Sequence, residues 1–420
     1  MTGSDVVALC RDLLRIDSSN PGSTEERAAA YVANFLSSHG IRHEVVEAAP
    51  GRCSVISRAL GSDRSLPALL VHSHLDVVPA HDDGWSHDPF AGAEADGCLW
   101  GRGALDMKAF VAMMLAAQAE VAAGLKPHRD VVFAYFADEE MGGTLGSQWL
   151  ATHRPELFEG VTEAIGEMGG FAVPVGPATI YPVQAAERGM LWIKISIRGV
   201  AGHAAYPIRS NPIDRLATLL NRIASLRIDE LPLEASLRCR AGLAAALSTD
   251  TLSAMRALGE LGAFVERGER TTFVPTVVAG GAKTNVVPDV ASVTIDCRFL
   301  PGSGDRALDA VTEILDEDMT MEVLQRGDGI ASPVDSGLLA SCRDAIAAHD
   351  PRAVVVPFVM PAGTDAQRLT SLGIAGYGFT PLTLPSGFDY LGLFHASDER
   401  VPVAAVAGGW EIFRTFLSRM

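Results

Sequence analysis

Several residue types and sequence patterns are scarce in this chain, and each absence removes a class of protein. Basic residues are outnumbered, with 34 Lys and Arg against 51 Asp and Glu, which gives a formal net charge of −17. Such a surface repels phosphate backbones, so we expect no nucleic-acid partner. No apolar run reaches the ~18 to 20 residues that cross a bilayer, and the N-terminus lacks a signal-peptide pattern, so we expect no membrane partner.

Cysteine is scarce as well. The six cysteines form no Cys-X-X-Cys pair and lie far apart, at Cys10, Cys53, Cys98, Cys239, Cys297 and Cys342. This spacing argues against a thiolate zinc site and against a disulfide scaffold. We therefore expect a reducing, cytoplasmic location.

The remaining composition is that of a globular protein, with 48% hydrophobic and 20% charged residues. A chain of 420 residues has room for two or three domains. Apolar strands alternate with helices over residues 1–186, and the same pattern resumes over 329–420. This alternation predicts an α/β sheet that is covered on both faces.

Residues 187–328 follow a different pattern. Half-exposed strands and helices occur in the order β-α-β-β-α-β, which predicts a four-stranded, ferredoxin-like α+β domain. A mostly helical insertion, residues 228–270, interrupts this order and is assigned to the same domain. The expected architecture is therefore one α/β domain with a second domain inserted into it.

Polar side chains stand where the apolar strands of the α/β region end. The residues at predicted strand ends or helix starts are His74, Asp76, Asp106, Asp138, Glu139, Glu140, Glu167 and His395. Each alone is more often structural or solvated, but the joint set is hard to explain that way, because ligands of open α/β sheets bind outside the carboxyl ends of the strands. Two imidazoles and several carboxylates suit zinc, cobalt or manganese, and suit two ions better than one.

Spacing assigns different tasks to neighbouring residues of this set. Asp76 lies two residues after His74 on the same face of a strand, so it can accept the second ring N–H and fix the tautomer. Glu139 and Glu140 are adjacent and point in different directions. One can bind metal while the other stays free to carry a proton.

Nine segments carry a family resemblance. In order they read HSHLDVVP, WSHDPF, DGCLWGRGALDMK, ADEEMGG, IGEMGG, GHAAYP, KTNVVPDVASVTIDCRFLPG, AGTDAQ and FHASDERV. Together they resemble the dizinc aminoacylase and carboxypeptidase family, which includes acetylornithine deacetylase, succinyl-diaminopimelate desuccinylase, glutamate carboxypeptidase and carboxypeptidase S. The chain is most similar to the branch of carboxypeptidase S and the N-acyl-amino-acid hydrolases.

The resemblance implies a zinc-peptidase-like catalytic domain (1–186 and 329–420), with residues 187–328 as an inserted lid through which two copies would form a homodimer. Two Zn²⁺ ions, replaceable by Co²⁺ or Mn²⁺, would be bound. The implied ligands are His74, Asp106 and Glu167 for one ion and His395, Asp106 and Glu140 for the other, with Asp106 bridging and followed by a cis peptide bond.

The resemblance also implies roles beyond the metal ligands. Glu139 would be the general base and then the acid, with Asp76 supporting the site, and His203 of the lid, often from a partner subunit, would hold the oxyanion. The implied substrate-binding residues are Asn285, Arg298, Gly363 and Thr364. Two of these assignments have simpler rivals, because His203 could be a turn residue and Arg298 could form a salt bridge within the lid.

The expected function is that of a dizinc metallohydrolase. It would cleave the amide or peptide bond of an N-acyl-amino acid or small peptide with a free carboxylate, using a metal-bridging hydroxide and Glu139. The alternatives are a dipeptidase or aminopeptidase on the same scaffold, a dedicated biosynthetic deacylase, and a non-catalytic metal-binding module. Aromatic and aliphatic residues in the loop 380–393 indicate an apolar wall and a preference for hydrophobic acyl or side-chain groups.

Overall fold

The computed structural model describes residues 1–81 and 83–420. The elements up to residue 187 are α1 (Gly3–Leu14), α2 (Glu26–Ser38), β1 (His43–Ala49), β2 (Arg52–Ala59), β3 (Ala68–His74), β4 (Ala93–Ala95), β5 (Cys98–Trp100), α3 (Ala109–Ala122), β6 (Val131–Phe136), α4 (Ser147–His153), β7 (Val161–Gly166), β8 (Val173–Val175) and β9 (Ala178–Glu187).

The second part of the chain begins with the lid and returns to the large domain. Its elements are β10 (Gly189–Arg198), β11 (Gly202–His203), α5 (Pro212–Ser225), α6 (Glu234–Ala246), α7 (Thr251–Ala257), α8 (Glu260–Gly268), β12 (Thr272–Gly280), β13 (Val286–Val287), β14 (Val290–Phe299), α9 (Gly304–Glu313), β15 (Met319–Gly327), β16 (Ile330–Ala331), α10 (Gly337–Ala347), β17 (Ala353–Met360), β18 (Ala375–Gly378), β19 (Arg400–Pro402) and α11 (Val403–Leu417).

The large domain is built on a mixed sheet with the order β1-β2-β6-β3-β7-β18-β9-β16, to which β8 and β17 add through β9. Every residue of β3 and β6 is buried, because both faces are covered. Alternate residues enter different cores: Leu69 and Val71 pack with α1, α3 and α11, whereas Leu70 packs with α4 and Leu369. The predicted α/β fold is confirmed.

The parallel strands of this sheet give it one functional edge. β3 is parallel to both β6 and β7, and β18 is parallel to β7. The carboxyl ends of these four strands therefore meet at the same edge. This edge is where the polar residues predicted from the sequence emerge.

The lid contains a separate four-stranded antiparallel sheet with the order β12-β14-β10-β15. Alternate residues of β10 are buried, and Leu191, Ile193 and Ile195 pack against Leu219 of α5 and Val311 of α9. Two helices on one face of a sheet with this strand order form the ferredoxin-like arrangement expected for residues 187–328.

The helical insertion needs a correction. The sequence-based interpretation assigned residues 228–270 to the lid, but the buried residues of α6 to α8, including Cys239 and Met255, belong to the core that contains Phe358 of β17. None of them joins the lid core formed by the described residues. Position in the sequence between two lid elements was therefore a poor guide, since an apolar helix face is buried against whichever domain it reaches.

No helix among the described residues is both long and apolar enough to cross a bilayer.

Candidate metal centre

The five predicted metal ligands converge at the carboxyl edge of the large sheet. His74 ends β3, Glu140 follows β6, and Glu167 follows β7. Asp106 lies in the turn before α3, and His395 lies in the loop before β19. Strand order β6-β3-β7 therefore brings three of these side chains together, and two loops add the remaining pair.

Asp106 stands at the centre of this group, with one carboxylate oxygen directed to each histidine. His74 Nε2 lies 2.9 Å from Oδ1, and His395 Nε2 lies 3.1 Å from Oδ2. The peptide bond that follows, Asp106–Met107, is cis, as the resemblance implied. A single carboxylate is thus shared between two sets of nitrogen and oxygen atoms.

Each histidine also faces a second carboxylate. Glu167 Oε2 lies 3.1 Å from His74 Nε2, and Glu140 Oε2 lies 3.3 Å from His395 Nε2. The result is two adjacent groups of one imidazole and two carboxylate oxygens that have Asp106 in common. This grouping matches the one that the family resemblance implies for two metal ions.

Additional positive charge would stabilise this group of buried carboxylates. Burial opposes ionisation of Asp106, but hydrogen bonds from His395 and His74 outweigh it and hold the pKa of its carboxyl below the usual range. Hydrogen bonds to Asp106 and Glu140 raise the pKa of His395 to about 10. Burial, followed by the negative charge of Asp106, raises the pKa of Glu140 to about 7. Clustered buried carboxylates of this kind are stabilised by cations.

The residues also fit a metal by geometry. Ligand atoms of His74, Asp106 and Glu140 lie within 4.8 Å of one another, as do those of His74, Glu139 and Glu167. Glu140 Oε1 is buried and has no hydrogen-bond partner among the described residues. Imidazole nitrogen with carboxylate oxygen is a donor set for zinc and similar divalent ions.

Asp76 lies directly behind His74, but its contact differs from the one predicted. The ring Nδ1 of His74 is 2.9 Å from the backbone carbonyl of Asp76, whereas the carboxylate Oδ1 is 3.6 Å away. The backbone therefore orients the ring. The carboxylate instead accepts the N–H groups of Glu139 (3.1 Å) and Glu140 (3.0 Å). Asp76 thus holds both glutamates in place.

Among the described residues, Glu139 forms no ion pair with either histidine. A ligand atom of its carboxylate lies within 4.8 Å of those of His74 and Glu167. Burial, followed by the negative charge of Glu167, raises the pKa of the Glu139 carboxyl well above its usual range. A carboxyl whose pKa is raised in this way, beside a metal centre, can act as base and acid in turn.

The lid residues predicted to assist are not brought to this centre within one chain. His203 and Asn285 are exposed and lie together on a two-stranded ribbon of β11 and β13. Asn285 Nδ2 lies 3.4 Å from His203 Nε2. Among the described residues, no hydrogen bond or ion pair joins either side chain to the metal ligands.

Arg298 forms a salt bridge within the lid, which was the simpler of its two predicted roles. Its Nε lies 2.8 Å and its Nη2 3.2 Å from the two carboxylate oxygens of Asp296, two residues earlier on β14. The side chain keeps 24% of its exposure. A bidentate partner of its own competes with any substrate carboxylate for this guanidinium.

Gly363 and Thr364 lie where β17 gives way to a 3₁₀ helix, Asp365–Leu372. The hydroxyl of Thr364 donates to Glu187 Oε1 at 2.6 Å, and its N–H donates to Oε2 at 3.0 Å. Gly363 packs closely, since a Cβ there would lie 2.5 Å from the side chain of Gln367. Thr364 is thus fixed to the last residue of β9, next to the lid.

Comparison with known proteins places the whole arrangement in a family. The model of peptidase family M20/M25/M40 matches residues 70–419. The chain belongs to this family. The predicted resemblance is confirmed, and with it the prediction that the chain is a metallohydrolase.

Two relatives align with most of this M20 family member. Aminoacylase-1 of Sus scrofa is 27% identical over 99% of the chain and 95% of its own length. A probable carboxypeptidase S-like 2 of Dictyostelium discoideum is 29% identical over 83% of the chain and 71% of its own length.

Solved structures show the same fold. An M20 family metallo-carboxypeptidase from Sulfolobus solfataricus has a TM-score of 0.76 at 15% identity, over 99% of this chain and 98% of the other. A dinuclear metal-binding peptidase of the M20 family from Bacillus subtilis has a TM-score of 0.61 at 16% identity, over 99% of this chain and 97% of the other.

Two supporting residues of this M20 site escaped the sequence analysis. Glu399 is fully buried and accepts the N–H groups of Gly103 (2.9 Å), Leu105 (2.8 Å) and Asp106 (3.2 Å), so it holds the turn that carries Asp106. An acid four residues after the ligand His395 was the available signal.

Asn20 is the second supporting residue that the sequence analysis missed. Its Nδ2 donates to Asp76 (3.0 Å) and to Asp138 (3.1 Å), while Arg52 donates to its Oδ1 at 2.9 Å. Arg52 thereby fixes the orientation of the amide, so that nitrogen faces the two acids. Asp138 in turn accepts the N–H of Leu145 at 2.9 Å and shapes the loop after β6.

Proposed function

We propose that the protein hydrolyses the amide bond of an N-acyl-amino acid or small peptide with a free carboxylate, using two divalent metal ions. One observation carries this proposal: the two oxygens of Asp106 each face a different histidine, each histidine faces one further carboxylate, and Glu139 remains free beside them. The names of the relatives, an aminoacylase and a carboxypeptidase S-like protein, support the substrate class.

The proposed ligands are those that the family resemblance implies: His74, Asp106 and Glu167 for one ion, and His395, Asp106 and Glu140 for the other. We propose zinc as the native metal, with cobalt or manganese able to replace it. When bound, two such ions supply positive charge that polarises an amide carbonyl and makes water a better nucleophile.

Glu139 moves the proton. Its carboxylate accepts a proton from the attacking water and returns it to the amine that leaves, so the group ends each turnover as it began. Asp76 makes this possible, because it fixes the backbone of Glu139 and Glu140 together. Rigid placement of a base against its water is worth several orders of magnitude in rate.

The lid completes the site in this proposal. His203 would donate to the negative charge that develops on the carbonyl oxygen, and Asn285 and Arg298 would lie near the substrate carboxylate. His203 and Asn285 are exposed on the lid ribbon, so they need either closure of the domains or a second subunit. Gly363 and Thr364 would line the same cleft from the large domain.

We also propose a homodimer formed through the lid. β12 is an edge strand of the lid sheet, and its apolar residues Val277 and Val278 are 57% and 56% exposed. A long apolar edge strand favours pairing with another strand. Val277→Lys should give a monomer by analytical ultracentrifugation. The control Val323→Lys, at an exposed residue of the opposite edge strand β15, should remain a dimer.

The function is tested with a panel of N-acyl-amino acids and free dipeptides. Chelation should abolish hydrolysis, and added zinc or cobalt should restore it. Asp106→Asn should lose both ions in a metal analysis, because both groups share this residue. Faster cleavage of dipeptides with a free amine than of their N-acyl analogues would instead support the dipeptidase or aminopeptidase alternative. The cytoplasmic location stays a prediction.

A further inference from the structure

The two histidines of the metal centre are held in different ways. His74 is the last residue of β3, its side chain is 1% exposed, and its Nδ1 lies 2.9 Å from the backbone carbonyl of Asp76. His395 lies in a loop, and its side chain is 51% exposed. Its Nε2 faces the carboxylates, but its Nδ1 has no hydrogen-bond partner among the described residues. The ring of His395 is therefore directed by the backbone that carries it.

The backbone at His395 has an uncommon conformation. Its φ is +59°, in the left-handed region that residues with a Cβ rarely adopt. Such a conformation persists only where the surrounding contacts enforce it. The loop lies between a single 3₁₀ turn, Leu391–Leu393, and β19. The position of this ligand thus depends on the contacts that other segments make with the loop.

Arg102 makes such a contact. Its Nη2 donates to the backbone carbonyl of His395 at 3.2 Å, and its Nη1 donates to Glu399 Oε2 at 2.7 Å. The guanidinium also lies over the ring of Trp85, 5.2 Å from the ring centroid. The side chains of Arg102 and Glu399 are almost fully buried. A planar guanidinium with several directed donors can fix both acceptors of the loop at once.

The same ion pair connects the loop of His395 to the turn of Asp106. Arg102 precedes Asp106 by four residues, and Glu399 follows His395 by four. Glu399 also accepts the N–H groups of Leu105 and Asp106. The pair therefore sets the separation between the shared carboxylate and the backbone of the second histidine. Among the described residues, no hydrogen bond or ion pair joins Arg102 to His74, which β3 and Asp76 hold instead.

We propose that Arg102 is a positioning residue for the metal ion of the His395 group. It holds His395 where this ion needs it, and thereby sets the affinity for that ion without affecting the ion of the His74 group. The inference rests on the proposed function, in which two ions bind. Without Arg102, Glu399 keeps its backbone donors, so the turn of Asp106 persists while the loop of His395 loosens. The two ions should then be lost one at a time rather than together.

The first experiment titrates metal-free protein with Co²⁺ and follows binding by calorimetry and by the visible absorption of the bound ion. The wild type should bind two ions. Arg102→Gln should bind one ion as the wild type does and the other about 10- to 100-fold more weakly, the usual effect of losing a group that orients a ligand. Equal weakening of both ions, or of neither, overturns the proposal.

Arg129→Gln is the matched control. Arg129 pairs with Glu163 at 2.8 Å, and both side chains are largely buried. Arg129 precedes β6, so this pair lies at the opposite end of that strand from Glu140. The variant should lose stability and keep the affinity for both ions. Loss of one ion from this control as well would mean that any broken ion pair loosens the centre, and would overturn the role of Arg102.

Two milder variants keep the proposal testable if Arg102→Gln does not fold. Trp85 lies in a loop and is only half-buried, so it can be replaced with less disturbance. Trp85→Leu removes the aromatic face from the guanidinium and should weaken the second ion about two- to fivefold. Trp85→Phe keeps an aromatic face and should bind both ions as the wild type does. Equal affinities of the two Trp85 variants for the second ion would contradict the proposal.

Activity separates this inference from the proposed function. Arg102→Gln should need about 10- to 100-fold more Co²⁺ for half-maximal hydrolysis of N-acetyl-leucine, and should approach the wild-type kcat at saturating Co²⁺. If the wild type hydrolyses this substrate and the variant has the same cobalt dependence, the proposed function stands and the role of Arg102 is removed. If the variant loses affinity for one ion but the wild type cleaves no N-acyl-amino acid or peptide, the role of Arg102 stands and the proposed function is removed.

Discussion

The metal centre and the lid ribbon hold their functional residues in opposite ways. In the centre, side chains are fixed by backbone groups and buried donors: Asp76 accepts two N–H groups, and Glu399 accepts three. On the ribbon, His203 and Asn285 are exposed and contact each other at 3.4 Å. The side chains of the centre are therefore positioned within one chain. Those of the ribbon are positioned only when another domain or a second subunit contacts them.

This difference assigns different tests to the two regions. A change in the centre should alter chemistry or metal binding in every molecule. A change on the ribbon should alter turnover alone and leave stability and metal content as they were. Four predictions follow from this contrast, in order of decreasing effect.

Glu139→Gln should lower kcat by about 10² to 10⁴ because it removes the proton carrier while keeping the shape of the side chain. Metal content should persist, since Glu139 is not among the proposed ligands of either ion. Steady-state kinetics and metal analysis on the same sample check both statements. Retention of more than a few per cent of activity would show that another residue moves the proton.

His203→Ala should lower kcat by about 10², the usual effect of losing one donor to a developing oxyanion. Its metal content and melting temperature should match those of the wild type because the residue is exposed. A mixture of His203→Ala and Glu139→Gln proteins, exchanged into mixed dimers, should regain activity if His203 acts across subunits. Loss of metal in His203→Ala would break the contrast between the two regions.

Glu187 lies at the junction of the domains, and burial raises the pKa of its carboxyl to about 7. Since this pKa exceeds the ordinary value of 4.5, the protonated form stabilises the fold at low pH, and that contribution is lost as pH rises through about 7. Glu187→Gln should remove up to about 3 kcal/mol of this decline. Urea unfolding at a series of pH values between about 4.5 and about 7 measures this decline, with the exposed Glu313→Gln as control. Parallel curves of unfolding free energy against pH for Glu187→Gln and wild type would refute the assignment.

Asn20→Ala should cost about 1 to 2 kcal/mol of stability and several-fold in kcat, because Asp76 and Asp138 each lose a donor and Arg52 loses an acceptor. Asn20→Asp should be worse than alanine, since it adds a third negative charge to the group. Asn221→Ala, on the exposed surface of α5, serves as control. Equal behaviour of the two Asn20 variants would mean that the amide does not orient the acids.

Sheet geometry explains why the residues predicted as metal ligands lie together. His74, Glu140 and Glu167 each follow a buried strand, and parallel strands deliver such residues to one edge. Asn20 was out of reach, since it contacts Asp76 and Asp138 from 56 and 118 residues away with no periodic pattern to mark it. The helices of 228–270 were misassigned for a related reason: an apolar face shows that a helix is buried, but does not identify the surface that buries it.

The carboxylate of Asp76 also limits how this segment can change in evolution. Its two oxygens accept consecutive N–H groups, so the tasks of Glu139 and Glu140 are set by counting residues from the end of β6. One residue inserted between Phe136 and Asp138 would move Glu139 into the place of Glu140 and put Asp138 where the proton carrier belongs. Substitutions in this loop can be tested by selection one at a time, but its length is fixed.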